Sequence, residues 1–207
     1  MKTDDRSYWN RHARSYDWSV VPLGIPMRRS LQLTAEALRG ADEVLEVAAG
    51  TGLVTATLAG VAKHVVATDY AEAMVTLLKK RVEAAGLANV ACEQADLFAL
   101  RFEPATFDAV VAANVLHLLP DAAVGIQALR RVLKPGGRLI VPTFCHAQTV
   151  LSRGVSRVLG ATGFPGQRRF TLDSLVALVE ASGIEVTRAE VIPGLIPIGF
   201  VAGRLRT

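Results

Sequence analysis

The stretch Val44-Leu45-Glu46-Val47-Ala48-Ala49-Gly50-Thr51-Gly52-Leu53-Val54 decides how the rest of the chain is read. An apolar, largely β-branched run stops at small residues, and helical spacing of apolar positions resumes at Leu53. The stretch therefore reads as strand, tight glycine turn and helix N-terminus. Gly50 and Gly52 have no Cβ and accept positive φ, which lets the backbone approach a bulky ligand. The first N–H groups of the expected helix would favour a carboxylate or phosphate beside them. Glu46 is an acid at the end of a strand that ought to be buried. A buried carboxylate is costly without a partner, so Glu46 is expected to accept from the loop N–H groups or from a ligand cation.

Working outward, strand and helix alternate. His64 to Thr68 forms a second strand ending at Asp69, and a helix from about Glu72 to Ala85 stops near Gly86. A third strand, Asn89 to Glu93, ends in Gln94-Ala95-Asp96. The fourth, Phe107 to Ala113, is a continuous apolar run of the kind covered on both faces. A helix from about Asp121 to Leu133 leads through Lys134-Pro135-Gly136-Gly137, a turn with no chemistry of its own, into a fifth strand from Arg138 to Phe144. Upstream, Met27 to Leu38 reads as a helix. Downstream, His146 to Gly166 is irregular around a helix near Val150 to Leu159, and a further helix, Leu172 to Ser182, is capped by Thr171 or Asp173. Ile184 to Ile192 and Ile198 to Arg204 are joined by a short proline-flanked turn as a closing hairpin. Strand and helix units of this size imply an α/β fold, a doubly wound and mostly parallel sheet with helices on both faces.

Composition narrows the function classes. In 207 residues, 51% are hydrophobic and 20% charged, which suits one globular domain with a substantial core. The charged opening Met1-Lys2-Thr3-Asp4-Asp5-Arg6 has no apolar run behind it, and every apolar stretch is broken short of a membrane span, so a cytoplasmic protein is expected. Cys92 and Cys145 fit no metal-ligand spacing, and no metal is expected. The net charge of +4 is spread along the chain and permits an acidic partner without requiring one. No nucleic-acid motif accompanies it.

In such a sheet the ligand lies at the carboxyl ends of the strands. Four ends carry suitable residues: Gly50 and Gly52, Asp69, Asp96 and Asn114. A carboxylate about 20 residues past a glycine turn suits a ribose diol, since it accepts two hydroxyl hydrogen bonds. Asp69 is that acid, and it could equally cap the helix after it.

The segment Glu46-x-Ala48-x-Gly50-x-Gly52 resembles the acidic-x-Gly-x-Gly-x-Gly motif of class I S-adenosylmethionine-dependent methyltransferases, with Ala48 in place of the first glycine. The dinucleotide fingerprint Gly-x-Gly-x-x-Gly needs a third glycine where this chain has Thr55. The likeness continues in register. Asp69-Tyr70-Ala71-Glu72-Ala73-Met74 resembles the family's ribose and adenine motif, and Gln94-Ala95-Asp96-Leu97 its adenine-amino motif. Phe107-Asp108 through Asn114-Val115-Leu116-His117 and Leu133 to Leu139 are similar to its later motifs, and Tyr8 to Asp17 resembles the aromatic stretch that covers the cofactor.

The resemblance implies a seven-stranded sheet with an antiparallel last strand and a single domain over 1–207. Its parts would be a helical cover (1–40), a cofactor-binding core (41–144), a variable segment over the acceptor (145–170) and a closing helix and hairpin (171–207). It also implies S-adenosyl-L-methionine as cofactor, held by Tyr16, Glu46, Ala48, Gly50, Gly52, Asp69, Tyr70, Met74, Asp96, Leu97 and Asn114, with Tyr8 closing the acceptor pocket. The small size favours a small-molecule acceptor over RNA or protein, and the apolar hairpin offers a surface for a homodimer. Methyl transfer needs a base only if the acceptor must lose a proton early. His117, just past the fourth strand, is the candidate, against a purely structural histidine. Cys145 and His146 are weaker candidates for lining the acceptor pocket. Arg153, Arg157, Arg168 and Arg169 would read an acidic acceptor or simply form a solvated face. The rivals are a nicotinamide-dependent oxidoreductase, a non-catalytic cofactor binder, and a methyltransferase acting on RNA or protein.

Overall fold

The structure is a computed structural model that describes residues 3–15, 24–161 and 166–206. In chain order the elements are α1 (Thr3–His12), α2 (Gly24–Leu38), β1 (Glu43–Val47), α3 (Thr55–Ala59), β2 (His64–Asp69), α4 (Glu72–Ala84), β3 (Val90–Gln94), β4 (Phe107–Val111), α5 (Ala122–Val132), β5 (Leu133–Ile140), β6 (Thr143–Phe144), α6 (Val150–Ala161), α7 (Leu172–Ala181), β7 (Ile184–Ile192) and β8 (Ile198–Leu205). They form one sheet in the order β3-β2-β1-β4-β5-β8, with β3 at one edge. The strands from β3 to β5 are mutually parallel. β8 runs antiparallel between β5 and β6, end to end on one side, and β7 on the other.

Side chains alternate across each strand, and both faces are apolar, so the sheet is cored twice. Leu45, Val47, Val110, Leu139 and Val201 point to one layer, closed by Ile126 and Leu129 of α5 and Leu175 and Val179 of α7. Val44, Val65, Ala109, Ile140 and Phe200 point to the other, closed by Leu33 and Leu38 of α2, Leu58 of α3 and Leu78 of α4. Two helix starts carry side-chain caps: Asp121 accepts from the N–H groups of Ala123 and Val124, and Thr171, one of the two expected caps of α7, forms a reciprocal capping box with Ser174.

Three expectations change. The sheet has eight strands, because Pro142 offers no N–H and divides the expected fifth strand into β5 and the two-residue β6. The ladder of β5 begins at Leu133 and skips in register between Phe107 and Ala109, so Lys134 to Gly137 loop out of it. There Lys134 Nζ donates to Asp108 Oδ1 at 2.7 Å, while Asp108 Oδ2 accepts from the N–H groups of Asp42 and Glu43. The helix after the glycine loop starts at Thr55 and has only five residues, so the loop and not a long helix N-terminus faces the strand ends.

Candidate active site

The carboxyl ends of β1 to β4 open onto one cleft. β1 and its loop contribute Val47, Ala48 and Gly50. β2 contributes Thr68, Asp69 and Tyr70, and the β3 end Ala95 and Leu97. β4 is followed by Ala113, Asn114 and Val115, then Leu118 and Leu119. Met74 of α4 and Trp9 of α1 complete the wall.

Backbone conformation explains the loop composition. Ala48 (φ 51), Gly50 (φ 59) and Gly52 (φ 87) are all left-handed, and for Ala48 this conformation carries strain that a glycine would not. Gly50 lies on the cleft and donates its N–H to Asp69 Oδ2 at 2.8 Å. Gly52 does not line the cleft. A Cβ there would stand 2.7 Å from Leu78 Cδ1, so this glycine answers to packing against α4 rather than to ligand approach.

Asp69 is the hub. Its Oδ1 accepts from the Ala71 N–H at 2.9 Å while Oδ2 holds Gly50, so one carboxylate ties the β1 loop to the β2 end. The cap of α4 falls instead at Ala71, with no side-chain bond. Burial raises the Asp69 pKa, opposed by the N–H groups of Ala71, Gly50 and Tyr70. Glu46 sits beneath, on the opposite side of β1 from Leu45 and Val47. It does not line the cleft, and its partner is the Thr55 hydroxyl, 2.6 Å from Oε2, rather than loop N–H groups. Burial drives its pKa up to about 8, against the Thr55 hydrogen bond and with the help of the Asp69 charge, so at neutral pH it is largely a protonated carboxyl.

The remaining candidates divide. Tyr70, Met74, Leu97 and Asn114 line the cleft. The Tyr70 ring lies under the Arg6 guanidinium at 4.2 Å, and its carbonyl accepts from Arg6 and Gln94. Asn114 has a left-handed backbone (φ 53), and its buried Oδ1 has no hydrogen-bond partner, an arrangement that asks for a donor from a ligand. Asp96 lies beside the cleft without lining it, and its Oδ1 caps the short turn at Leu97 by accepting from Phe98 N–H. Tyr16 lies outside the described residues. Tyr8 packs against Trp9 and His12, and it is Trp9 that reaches the cleft.

His117 is 2% exposed and is not among the cleft-lining residues. Burial, with the neighbouring His146 acting in the same direction, pushes its pKa down to about 3. An imidazole so reluctant to take a proton is a weak base; its backbone carbonyl receives the N–H groups of Gln167 and Arg168 at 2.9 and 3.0 Å. His146 is likewise buried, with Nδ1 2.7 Å from Ser156 Oγ, and Cys145 is packed in the core with its thiol pushed up to about 11 by burial.

Sequence reasoning missed Trp9, Val47, Thr68, Ala95, Ala113 and the apolar group Val115, Leu118 and Leu119 as cleft residues. The run Val115 to Leu119 carried a usable signal, since it continues an apolar strand past its end. Among the described residues no group of three or more His, Cys, Asp or Glu could hold a metal, and no helix is long and apolar enough to cross a membrane.

Comparison with known proteins agrees with this geometry. The family model "Methyltransferase domain" matches residues 44–137, from β1 into β5. The chain is 34% identical over 141 residues to a demethylmenaquinone methyltransferase of Clavibacter sepedonicus, covering 68% of this chain and 54% of that protein. It is 36% identical over 127 residues to the ubiquinone/menaquinone biosynthesis C-methyltransferase UbiE of Teredinibacter turnerae, covering 59% and 51%. The chain thus spans about half the length of these curated relatives. In three dimensions it resembles a SAM-dependent methyltransferase from Aquifex aeolicus, with a TM-score of 0.73 at 22% identity over 95% of this chain and 98% of that one, a likeness of fold.

Proposed function

Taking as premise that residues 44–137 are a methyltransferase domain, we propose that the protein moves a methyl group from S-adenosylmethionine to a ring carbon of a small apolar acceptor of the quinol class. The observation that carries this reading is the meeting of Gly50, Asp69, Met74, Leu97 and Asn114 in one cleft at four strand ends. The quinol class is supported by what the relatives' names say of those proteins.

The residues present fit the cofactor. Asp69 lines the cleft, and a carboxylate that accepts backbone N–H groups at both oxygens has further lone pairs for a ribose diol. Met74, Ala95 and Leu97 offer an apolar slot for a flat base. Asn114 Oδ1 supplies an acceptor for an ammonium donor. Asp96, with Oδ1 committed to Phe98, retains Oδ2 for an exocyclic amine. Glu46 supports the loop through Thr55 rather than by contact. When bound, S-adenosylmethionine supplies a methyl on a cationic sulfur that is already a good leaving group, so the protein has mainly to position and to exclude water. Trp9, Val115, Leu118 and Leu119 form the apolar wall suited to that task.

The test is incubation of the purified chain with methyl-labelled S-adenosylmethionine and a panel of reduced naphthoquinones, benzoquinones and simple phenols, read by mass spectrometry. Carbon methylation of a quinol ring is expected. Failure to bind either the cofactor or its demethylated product in calorimetry would remove the reading, and label entering protein or RNA instead would redirect it.

A further inference from the structure

From Ala122 to Leu172 the chain contains neither aspartate nor glutamate. The acids that bound this stretch are Asp121, occupied as the cap of α5, and Asp173 in the first turn of α7. Its central part lies at the cleft end of the sheet. α6 follows β6, and the segment 166–169 is pinned by its Gln167 and Arg168 N–H groups to the carbonyl of His117, between cleft residues Val115 and Leu118. The inner side of α6 is anchored by buried Ser152 and by Ser156, which binds His146.

The outer side has an unusual composition. Val150 is 77% exposed and Leu151 62%, the two most exposed large hydrophobics among the described residues. The same helix carries Arg153 and Arg157, and the segment pinned at His117 carries Arg168 and Arg169, all exposed. Among the described residues none of these four guanidiniums pairs with a carboxylate. A solvated basic face accounts for the arginines but not for two aliphatic side chains held in water beside them. Nucleic acid would likewise use the charges and leave Val150 and Leu151 idle. Apolar side chains that can enter an acyl boundary, with arginines on the same helix and the following segment that meet no carboxylate among the described residues, match the chemistry of an anionic lipid surface.

We propose that α6 and the segment 166–169 dock on an anionic lipid bilayer and set the mouth of the cleft against it. The inference goes beyond methyl transfer and needs neither cofactor nor acceptor. Either can therefore fail while the other stands.

The test is co-sedimentation of the full chain with vesicles of phosphatidylcholine and phosphatidylglycerol, against vesicles of phosphatidylcholine alone. Binding is expected only to the anionic vesicles and should weaken as salt rises. Each arginine should contribute about five-fold, so the double variant Arg153→Ala/Arg157→Ala should bind roughly 25-fold more weakly. Val150→Ser/Leu151→Ser should lose about ten-fold, and Lys79→Ala/Lys80→Ala on α4 should bind as the parent does. All three pairs are on the surface, and unchanged thermal melting confirms that each variant is folded. Equal binding to neutral vesicles, or an unaltered affinity in the arginine variant, would overturn the proposal. So would displacement from vesicles by short duplex DNA together with indifference to the serine variant, which would assign the patch to nucleic acid.

Discussion

Replacing Glu46 by glutamine isolates a buried carboxyl whose pKa is driven far above the usual range. Glu46 is 1% exposed, accepts the Thr55 hydroxyl, and has its pKa driven up to about 8, first by burial. In the unfolded chain a glutamate titrates near ~4.3. Between those two values the unfolded chain has released a proton that the folded chain keeps. Stability is therefore fully present below about pH 4, falls as pH rises, and is lost once pH passes through about 8. At about 1.4 kcal/mol per unit, a gap of three to four units amounts to roughly 4–6 kcal/mol. Glutamine keeps a carbonyl oxygen for Thr55 and has nothing to titrate. Urea unfolding of both proteins at about pH 5 and pH 8.5 should show the parent losing several kcal/mol relative to Glu46→Gln across the window. Groups shared by the two proteins, Asp69 and His117 included, largely cancel in the difference. Parallel pH dependences would refute the reasoning, and a parent that gains on the variant with rising pH would mean that Glu46 is ionised in the fold.

Three further outcomes follow from the site. Asp69→Ala orphans the N–H groups of Gly50 and Ala71 and should weaken S-adenosylhomocysteine binding by about 1–3 kcal/mol in calorimetry; unchanged affinity would remove the ribose assignment. His117 has the opposite sign to Glu46: with its folded pKa near 3, its contribution to stability is present above the unfolded value of about 6.5 and is lost as pH falls toward 3. His117→Gln should flatten the acid limb of urea stability and leave the neutral range of the methyl-transfer pH profile in place, whereas loss of an inflection near neutrality would restore His117 as a base. Gly52→Ala, with φ 87 and Leu78 Cδ1 2.7 Å from the new Cβ, should cost about 1–3 kcal/mol in urea unfolding.

The sheet was legible because its signals are local. Apolar runs bounded by Gly, Asp and Asn mark β1, β2 and β4 to within about two residues, and the methyltransferase likeness rests on motifs that sit at those strand ends. Asp69 was found because its offset from the glycine turn reflects the length of one helix and one strand. What stayed hidden depends on direction rather than on spacing. Glu46 and Val47 are neighbours in sequence but face opposite sides of β1, so only the neighbouring elements decide that Val47 meets the cleft and Glu46 meets Thr55. Gly50 and Gly52 are two residues apart and serve different ends, one the cleft and the other contact with Leu78. His117 was singled out from its place past β4, and the burial that lowers its pKa could not be read from spacing. The division of β5 from β6 needed Pro142 to be weighed against the apolar run around it.

The seating of β8 has a consequence for biosynthesis. Of the strands described, it is the latest to leave the ribosome, yet it occupies an interior position and gives Phe200 and Val201 to the two opposite layers. A nascent chain halted before Ile198 would have both hydrophobic layers unfinished and the flank of β5 bare, an invitation to chaperones or to self-association. Nonsense or frameshift changes that spare every cleft residue but remove 198–205 should therefore abolish soluble protein altogether rather than yield a folded but weakened one.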